Sequence, residues 1–229
     1  MGERVGSGDG VSHYQDFLTA LCAWQSCQGG NALAMSFYGR QDGVTAREPS
    51  PDYPLFGALH YLIRSHGCAR VIETGTARGV SAACLASAVM GREDAHVVTL
   101  DIAVHPARAS LWAALPAPMR DVIEPWGIDS LTYMQQDVNA GAWYHAALLD
   151  SSHDGAHVYN EFQLARRLVR PGGPILIHDA IFPSGTVGEA LARIRADGYD
   201  VVELWTAESG EREDDGLGLA VIVNRGRSC

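Results

Sequence analysis

Short runs of β-branched and aliphatic residues alternate along this chain with longer stretches in which apolar positions recur every three or four residues. The short runs predict strands: Val71 and Ile72 closed by Glu73, Val97–Leu100 ending at Asp101, Leu131–Gln136 followed by Asp137, and Ala146–Leu149 ending at Asp150. Three more follow, Ile175–Ile177 ahead of His178 and Asp179, Val201–Trp205, and Leu219–Val223. The longer stretches predict helices. Tyr14, Phe17, Leu18, Leu21 and Cys22 mark one over 13–26 with Ser12 at its N-cap, and Leu55, Leu59, Leu62 and Ile63 mark another over 53–65. An alanine-rich helix over 81–90 stops at Gly91. Val158, Phe162, Ala165 and Val169 form the buried stripe of a helix over 157–169 that Pro171 and two glycines end. Thr186 and Glu189 have capping-box spacing ahead of a helix through Ala196.

The connections are also legible. Residues 102–129 carry Pro106, Pro116, Pro118 and Pro125, which break any single helix and predict a helix plus loops. Residues 1–12 are polar and glycine-rich and should be loosely held, and 31–52 read as a covering loop. The last two strands are joined by AESGEREDDG, a polar acidic loop with no helix in it. Parallel neighbours would need a crossover, so a hairpin is expected. The fold class is α/β: a seven-stranded, mostly parallel sheet with an antiparallel last strand.

Composition narrows the partners. With 229 residues and 47% apolar positions, one α/β domain over 53–229 with an N-terminal addition over 1–52 is expected. Seventeen basic against 27 acidic residues give a net charge of −10, which disfavours nucleic acid and anionic membranes. Cys22, Cys27, Cys68, Cys84 and Cys229 are odd in number and form no C-x-x-C pair, as reduced thiols in the cytosol would. Neither a signal-peptide core nor an apolar run of the ~20 residues a membrane helix needs is visible, so a cytoplasmic protein is expected.

The candidate chemistry lies in RVIETGTARGVS, residues 70–81, which reads as strand, glycine turn and helix. Gly75 and Gly79 let backbone approach a ligand closely. Glu73 would repel phosphate but hold an amine or a ribose hydroxyl. The spacing G-x-x-x-G is not the dinucleotide fingerprint, and no P-loop sequence is present, which argues against NAD and ATP. Ligands in open α/β sheets bind outside the carboxyl ends of the strands, and there the pattern sets Glu73, Asp101, Asp137, Asp150 and His178–Asp179 in a row. Any one of them could be a helix cap or a solvated loop carboxylate; five in register suggest a site.

Acid-x-G-x-x-x-G after a strand resembles motif I of the class I S-adenosylmethionine (SAM) dependent methyltransferases, whose Rossmann-like sandwich has the sheet expected here. Together with LLDSSHDGAHVYNEFQLARRLVRPGGPILIHDA, residues 148–180, it resembles the cephalosporin hydroxylase and rhamnosyl O-methyltransferase group. The most specific part is the pattern Asp150, Ser151, His153, His157, Val158 and Glu161. The resemblance implies SAM as cofactor, with Glu73, Gly75, Thr76 and Gly79 at its methionyl end. It further implies Ser81 near the methionyl carboxylate, Asp101 on the ribose, Asp137 facing adenine, and Asp150 between cofactor and acceptor. It also implies His153 as general base. Some members bind a divalent cation, and here its ligands would be Asp150, His178 and Asp179. Mg²⁺ prefers oxygen ligands, so an imidazole at His178 points to Mn²⁺ or Fe²⁺, or to no metal.

The function implied is O-methylation of a small-molecule hydroxyl, on a sugar or natural product, with no nucleic acid or membrane partner. The N-terminal helix, Phe37 and Tyr38, and residues 181–185 would cover the acceptor, and that helix could also pack a second subunit. The rival is a catalytically silent SAM-binding accessory or sensor. An NAD-dependent oxidoreductase is weaker, since it lacks the glycine fingerprint.

Overall fold

The computed structural model describes residues 13, 15–17, 19, 52–181, 185–205 and 218–226. Helix α1 (Asp52–Ser65) leads into β1 (Arg70–Thr74), α2 (Val80–Val89) and β2 (His96–Asp101). Then come α3 (Ala107–Ala114), the one-turn α4 (Ala117–Arg120), β3 (Ile123–Gly127), α5 (Ser130–Ala140) and β4 (Ala146–Leu149). The chain continues through α6 (Gly155–Leu168), β5 (Pro174–His178), α7 (Val187–Ala196), β6 (Val201–Trp205) and β7 (Gly218–Val223).

Among the described residues seven strands form one sheet in the order β3-β2-β1-β4-β5-β7-β6. β1 to β5 pair in parallel, and β7 runs antiparallel to both β5 and β6. The expected hairpin is present, and β7 is the reversed strand. Because β1 lies between β2 and β4, the chain winds outward in both directions from the β1/β4 boundary, and a crevice opens there at the carboxyl ends.

Alternation along the buried strands sends successive side chains to opposite faces. Val71, Val97, Ala146, Leu148 and Leu176 pack with α1, α2, Leu111 and Met119. Ile72, Val98, Leu100, Leu149 and Ile177 pack with Met134, Phe162 and Ile194 of α5, α6 and α7. Helix α2 is buried almost throughout, and its Ala82, Ala83, Ala86 and Ala88 let it lie close on the sheet.

The third strand corrects the sequence reading. Residues 131–136 lie inside α5; the strand is Ile123–Gly127. Asp129 caps α5 by accepting from the N–H and hydroxyl of Thr132, each at 2.8 Å, and Gly141 closes it in the left-handed conformation at φ 74°. The true β3 is an edge strand of mostly exposed residues, IEPWG, so no apolar run marks it, and its Pro125 is tolerated there. Thr186 is the N-cap of α7 but makes no side-chain cap to it; its Oγ1 accepts from Gly155 N–H at 2.7 Å instead.

Of the N-terminal helix, His13, Gln15, Asp16, Phe17 and Thr19 are helical, and Phe17 is fully buried edge-on against Phe56 of α1 at 6.1 Å. The covering loop with Phe37 and Tyr38, most of the 181–185 segment, and Cys22, Cys27 and Cys229 lie outside the described residues. Cys68 and Cys84 are buried free thiols, and burial pushes Cys68 up to about 11. No helix among the described residues is long and apolar enough to cross a membrane.

Candidate active site

Strand register assembles the first half of the site. Glu73 of β1 pairs with Thr99 of β2, which puts both on the α1/α2 face, and Asp101 follows on that face two residues later. Glu73 is fully buried. Its Oε2 accepts from the Thr99 hydroxyl, which is 2.7 Å from that of Thr76. Its Oε1 is buried without a formed hydrogen bond among the described residues, the Ser81 hydroxyl being the polar group beside it. Desolvation outweighs these neighbours and pushes the Glu73 carboxyl up to about 7.

The glycine turn is anchored from β2 and α3. Gly75 and Thr76 donate their N–H groups to Leu100 O at 2.8 and 3.1 Å. Asp101 Oδ2 accepts from Ala77 N–H at 2.7 Å and from Arg108 at 3.3 Å. Arg108 is buried and also donates to Ala77 O from Nε and Nη2, at 3.1 and 2.9 Å, which holds Ala77 at a positive φ of 43°. Gly75 has φ 83°, and a Cβ there would lie 1.9 Å from Asp150 O, so the turn is pressed onto the end of β4. At Gly79 a Cβ would lie 2.4 Å from the Trp112 indole, which donates to Gly79 O at 2.9 Å. Gly79 thus admits Trp112 from α3.

Asp150, His153, His178 and Asp179 form the second half. His178 Nδ1 is 3.3 Å from Asp150 Oδ1 and 3.1 Å from Asp179 Oδ1, yet it is buried and aligned for a hydrogen bond with neither. One ligand atom from each of the three lies within 4.8 Å of the other two. Asp179 turns its other oxygen, Oδ2, to His153 Nε2 at 2.7 Å and is itself left-handed at φ 54°. Burial works against charge on His178, but the two carboxylates outweigh it and hold the imidazole protonated well above its usual range. Burial raises Asp150. On Asp179 burial is overcome by His178 and His153, which keep it below the usual carboxylate range.

A cavity of about 150 Å³ joins the halves, lined on one side by Gly75, Thr76, Arg78 and Ser81 and on the other by Asp150 and His178. Leu55, Phe56 and Leu59 of α1 wall it. Of the predicted strand-end residues, Asp150 and His178 line this cavity, Asp179 contacts His178, Asp101 holds the turn through Ala77, and Glu73 is buried outside the lining. Asp137 does not join them: it lies on α5 and accepts from the Tyr144 hydroxyl at 2.5 Å, because the strand assigned before it is a helix. Sequence reasoning missed Arg108 and Thr99. Thr99 carried a signal, a polar residue inside the apolar run HVVTLD.

Comparison with known proteins fits this geometry. Residues 72–180, from β1 to the residue after Asp179, match the model of a family described as a methyltransferase domain. No curated protein matches the chain in sequence. Among solved structures it is similar to the O-methyltransferase TomG from Streptomyces achromogenes, involved in tomaymycin synthesis and solved with SAM. The identity is 20%, the TM-score 0.62, and 90% of each chain is covered. It is also similar to an O-methyltransferase from Bacillus cereus solved with S-adenosylhomocysteine (SAH), at 19% identity and TM-score 0.59, covering 93% of this chain and 90% of that one. At these identities the likeness is one of fold. The match over residues 72–180 and the sheet order make the chain similar, in domain and fold, to the class I SAM-dependent methyltransferases.

Proposed function

We propose that the chain transfers the methyl group of SAM to a hydroxyl oxygen of a small molecule. The observation that carries this reading is the meeting, across one cavity, of the motif I turn with the cluster of Asp150, His178 and Asp179, which His153 joins at 2.7 Å. Bound SAM supplies an activated methyl and a neutral thioether leaving group. Glu73 and Ser81 face its methionyl end with a buried carboxylate oxygen and a hydroxyl, and Gly75 and Thr76 bring backbone close. Asp101, steadied by Arg108, takes the ribose hydroxyls. A carboxylate on Nε2 of His153 keeps the proton there and turns the lone pair to Nδ1, the form in which imidazole accepts a proton from an acceptor hydroxyl.

The donor set of Asp150, His178 and Asp179 fits a divalent cation: two carboxylates surround a buried imidazole nitrogen that is aligned to neither. One nitrogen and two oxygens suit Mn²⁺ or Fe²⁺ better than Mg²⁺. Such an ion would lower the acceptor hydroxyl's pKa. Residues 53–229 form the catalytic domain in this reading and 1–52 its cover. The packing of Phe17 on Phe56, which also lines the cavity, supports that division.

Calorimetry with SAM and SAH, then mass detection of methylated product over a panel of small hydroxyl compounds with and without Mn²⁺, tests the proposal. Binding and a product heavier by one methylene are expected. Absence of binding at millimolar cofactor overturns it, and binding without product favours an accessory or sensor role.

A further inference from the structure

Glu161 stands on α6, on the face of the sheet away from the cavity, and is fully buried. Its Oε1 accepts from the Ser151 hydroxyl at 2.6 Å and its Oε2 from the Thr74 hydroxyl at 3.1 Å. His157 Nε2 lies 3.3 Å from Oε1, and that contact raises the pKa of His157. The same nitrogen is 3.2 Å from the hydroxyl of Ser130, the first residue of α5.

The partners of Glu161 are informative. Thr74 is the last residue of β1 and immediately precedes Gly75; Ser151 immediately follows Asp150. Thr74 closes a second link, since its hydroxyl and its carbonyl oxygen accept from Asp150 N–H at 3.2 and 3.0 Å. One carboxylate thus grips both chain segments that border the cavity, from beneath. A buried carboxylate is costly unless its oxygens are engaged, and the neighbouring buried positions on α6, Val158, Phe162 and Ala165, are apolar. An acid at this point is therefore explained by what it holds.

We propose that Glu161 is a positioning residue that fixes the end of β1 against the end of β4, so that the cofactor turn and Asp150 keep one spacing. It touches neither cofactor nor acceptor and acts through Thr74 and Ser151. The inference rests on the SAM reading above.

The test is SAH titration of the full chain, well below its melting temperature, for wild type, Glu161→Ala, Glu161→Gln, Ser151→Ala and Asn224→Ala. Glu161→Ala and Ser151→Ala should weaken SAH about tenfold, as loss of a hydrogen bond to a buried charge implies. Glu161→Gln, whose amide can still meet both hydroxyls, should restore most of the affinity. Asn224 is a control for stability alone: it is buried far along the chain and donates to Arg166 O and Val169 O at 3.1 and 2.5 Å. Its variant should melt earlier and bind SAH as wild type does. Ser151 is exposed, so Ser151→Ala keeps the test decisive if Glu161→Ala fails to fold. Unchanged affinity in Ser151→Ala and in any folded Glu161→Ala overturns the proposal, as does an equal loss in Asn224→Ala. A wild type that does not bind SAH overturns the SAM reading and this one with it, a result distinct from an unchanged variant.

Discussion

Nε2 of His153 lies 2.7 Å from Oδ2 of Asp179, and Asp179 reaches it from a left-handed backbone at φ 54°. A residue with a Cβ pays for that conformation, and such outliers gather where function needs an unusual side-chain direction. Here the turn after β5 lets one carboxylate serve two imidazoles, Oδ1 facing His178 at 3.1 Å.

If His153 accepts the acceptor's proton, His153→Ala should lower methyl transfer about 10²-fold or more, the usual size of general base catalysis. Its SAH affinity should stay near that of wild type. Asp101→Ala should do the reverse and weaken SAH about 10-fold or more, through lost bonds to a charged acceptor. Stopped-time assays beside SAH titrations separate the two. Equal losses of affinity in both variants would mean that the roles are misassigned.

Mn²⁺ should stabilise the protein if Asp150, His178 and Asp179 hold it. At an ion concentration of about 100 Kd the gain is ~2.7 kcal/mol, which raises Tm by roughly 5–10 °C for a domain of this size. Chelation should reverse the shift, and Asp150→Asn and Asp179→Asn should each abolish it. An unchanged melting curve on adding Mn²⁺ would remove the metal from the mechanism.

How much of this was legible follows from burial. Strands β1, β2, β4 and β5 are covered on both faces, so Val71, Val97, Leu148 and Ile175 stand in apolar runs that sequence alone reveals, and the acids after them fall into place. β3 is an edge whose exposed IEPWG carries no such run, while α5 carries Leu131, Tyr133, Met134 and Val138 at spacings that can imitate a strand. That exchange alone misplaced Asp137. Arg108 was illegible for a different reason: its four bonds go to groups that tertiary structure brings together, at Ala77, Ala103 and Asp101.

Gly75 and Gly141 separate backbone strain from crowding. Both have positive φ, 83° and 74°, but a Cβ meets Asp150 O at 1.9 Å at Gly75 and nothing within 4 Å at Gly141. Gly141→Ala should cost about 1 kcal/mol of strain. Gly75→Ala must also push β4 away and should cost more than ~2 kcal/mol, with loss of SAH binding. Urea unfolding of the two variants measures the difference, and equal destabilisation would mean that the contact between the turn and β4 is looser than described.

Glu73 should make stability depend on pH. Its folded pKa is raised from 4.5 to about 7, chiefly by burial. The folded protein then holds this proton more tightly than the unfolded chain does. The associated stability is fully present below about pH 4.5, is lost as pH rises toward 7, and stays lost above it. A shift of this size corresponds to about 3 kcal/mol in the free protein. Glu73→Gln keeps a neutral side chain at every pH, so its stability relative to wild type should grow between pH 5 and 7 and level off above. The same variant should bind SAH more weakly at pH 8, where wild type would present a carboxylate to the ligand's ammonium and the amide cannot. Urea unfolding and SAH titration at pH 5, 6, 7 and 8 read both effects. A wild-type to Glu73→Gln stability difference that does not change with pH would show that Glu73 is ionised throughout, with its charge balanced by groups other than Thr99 and Ser81.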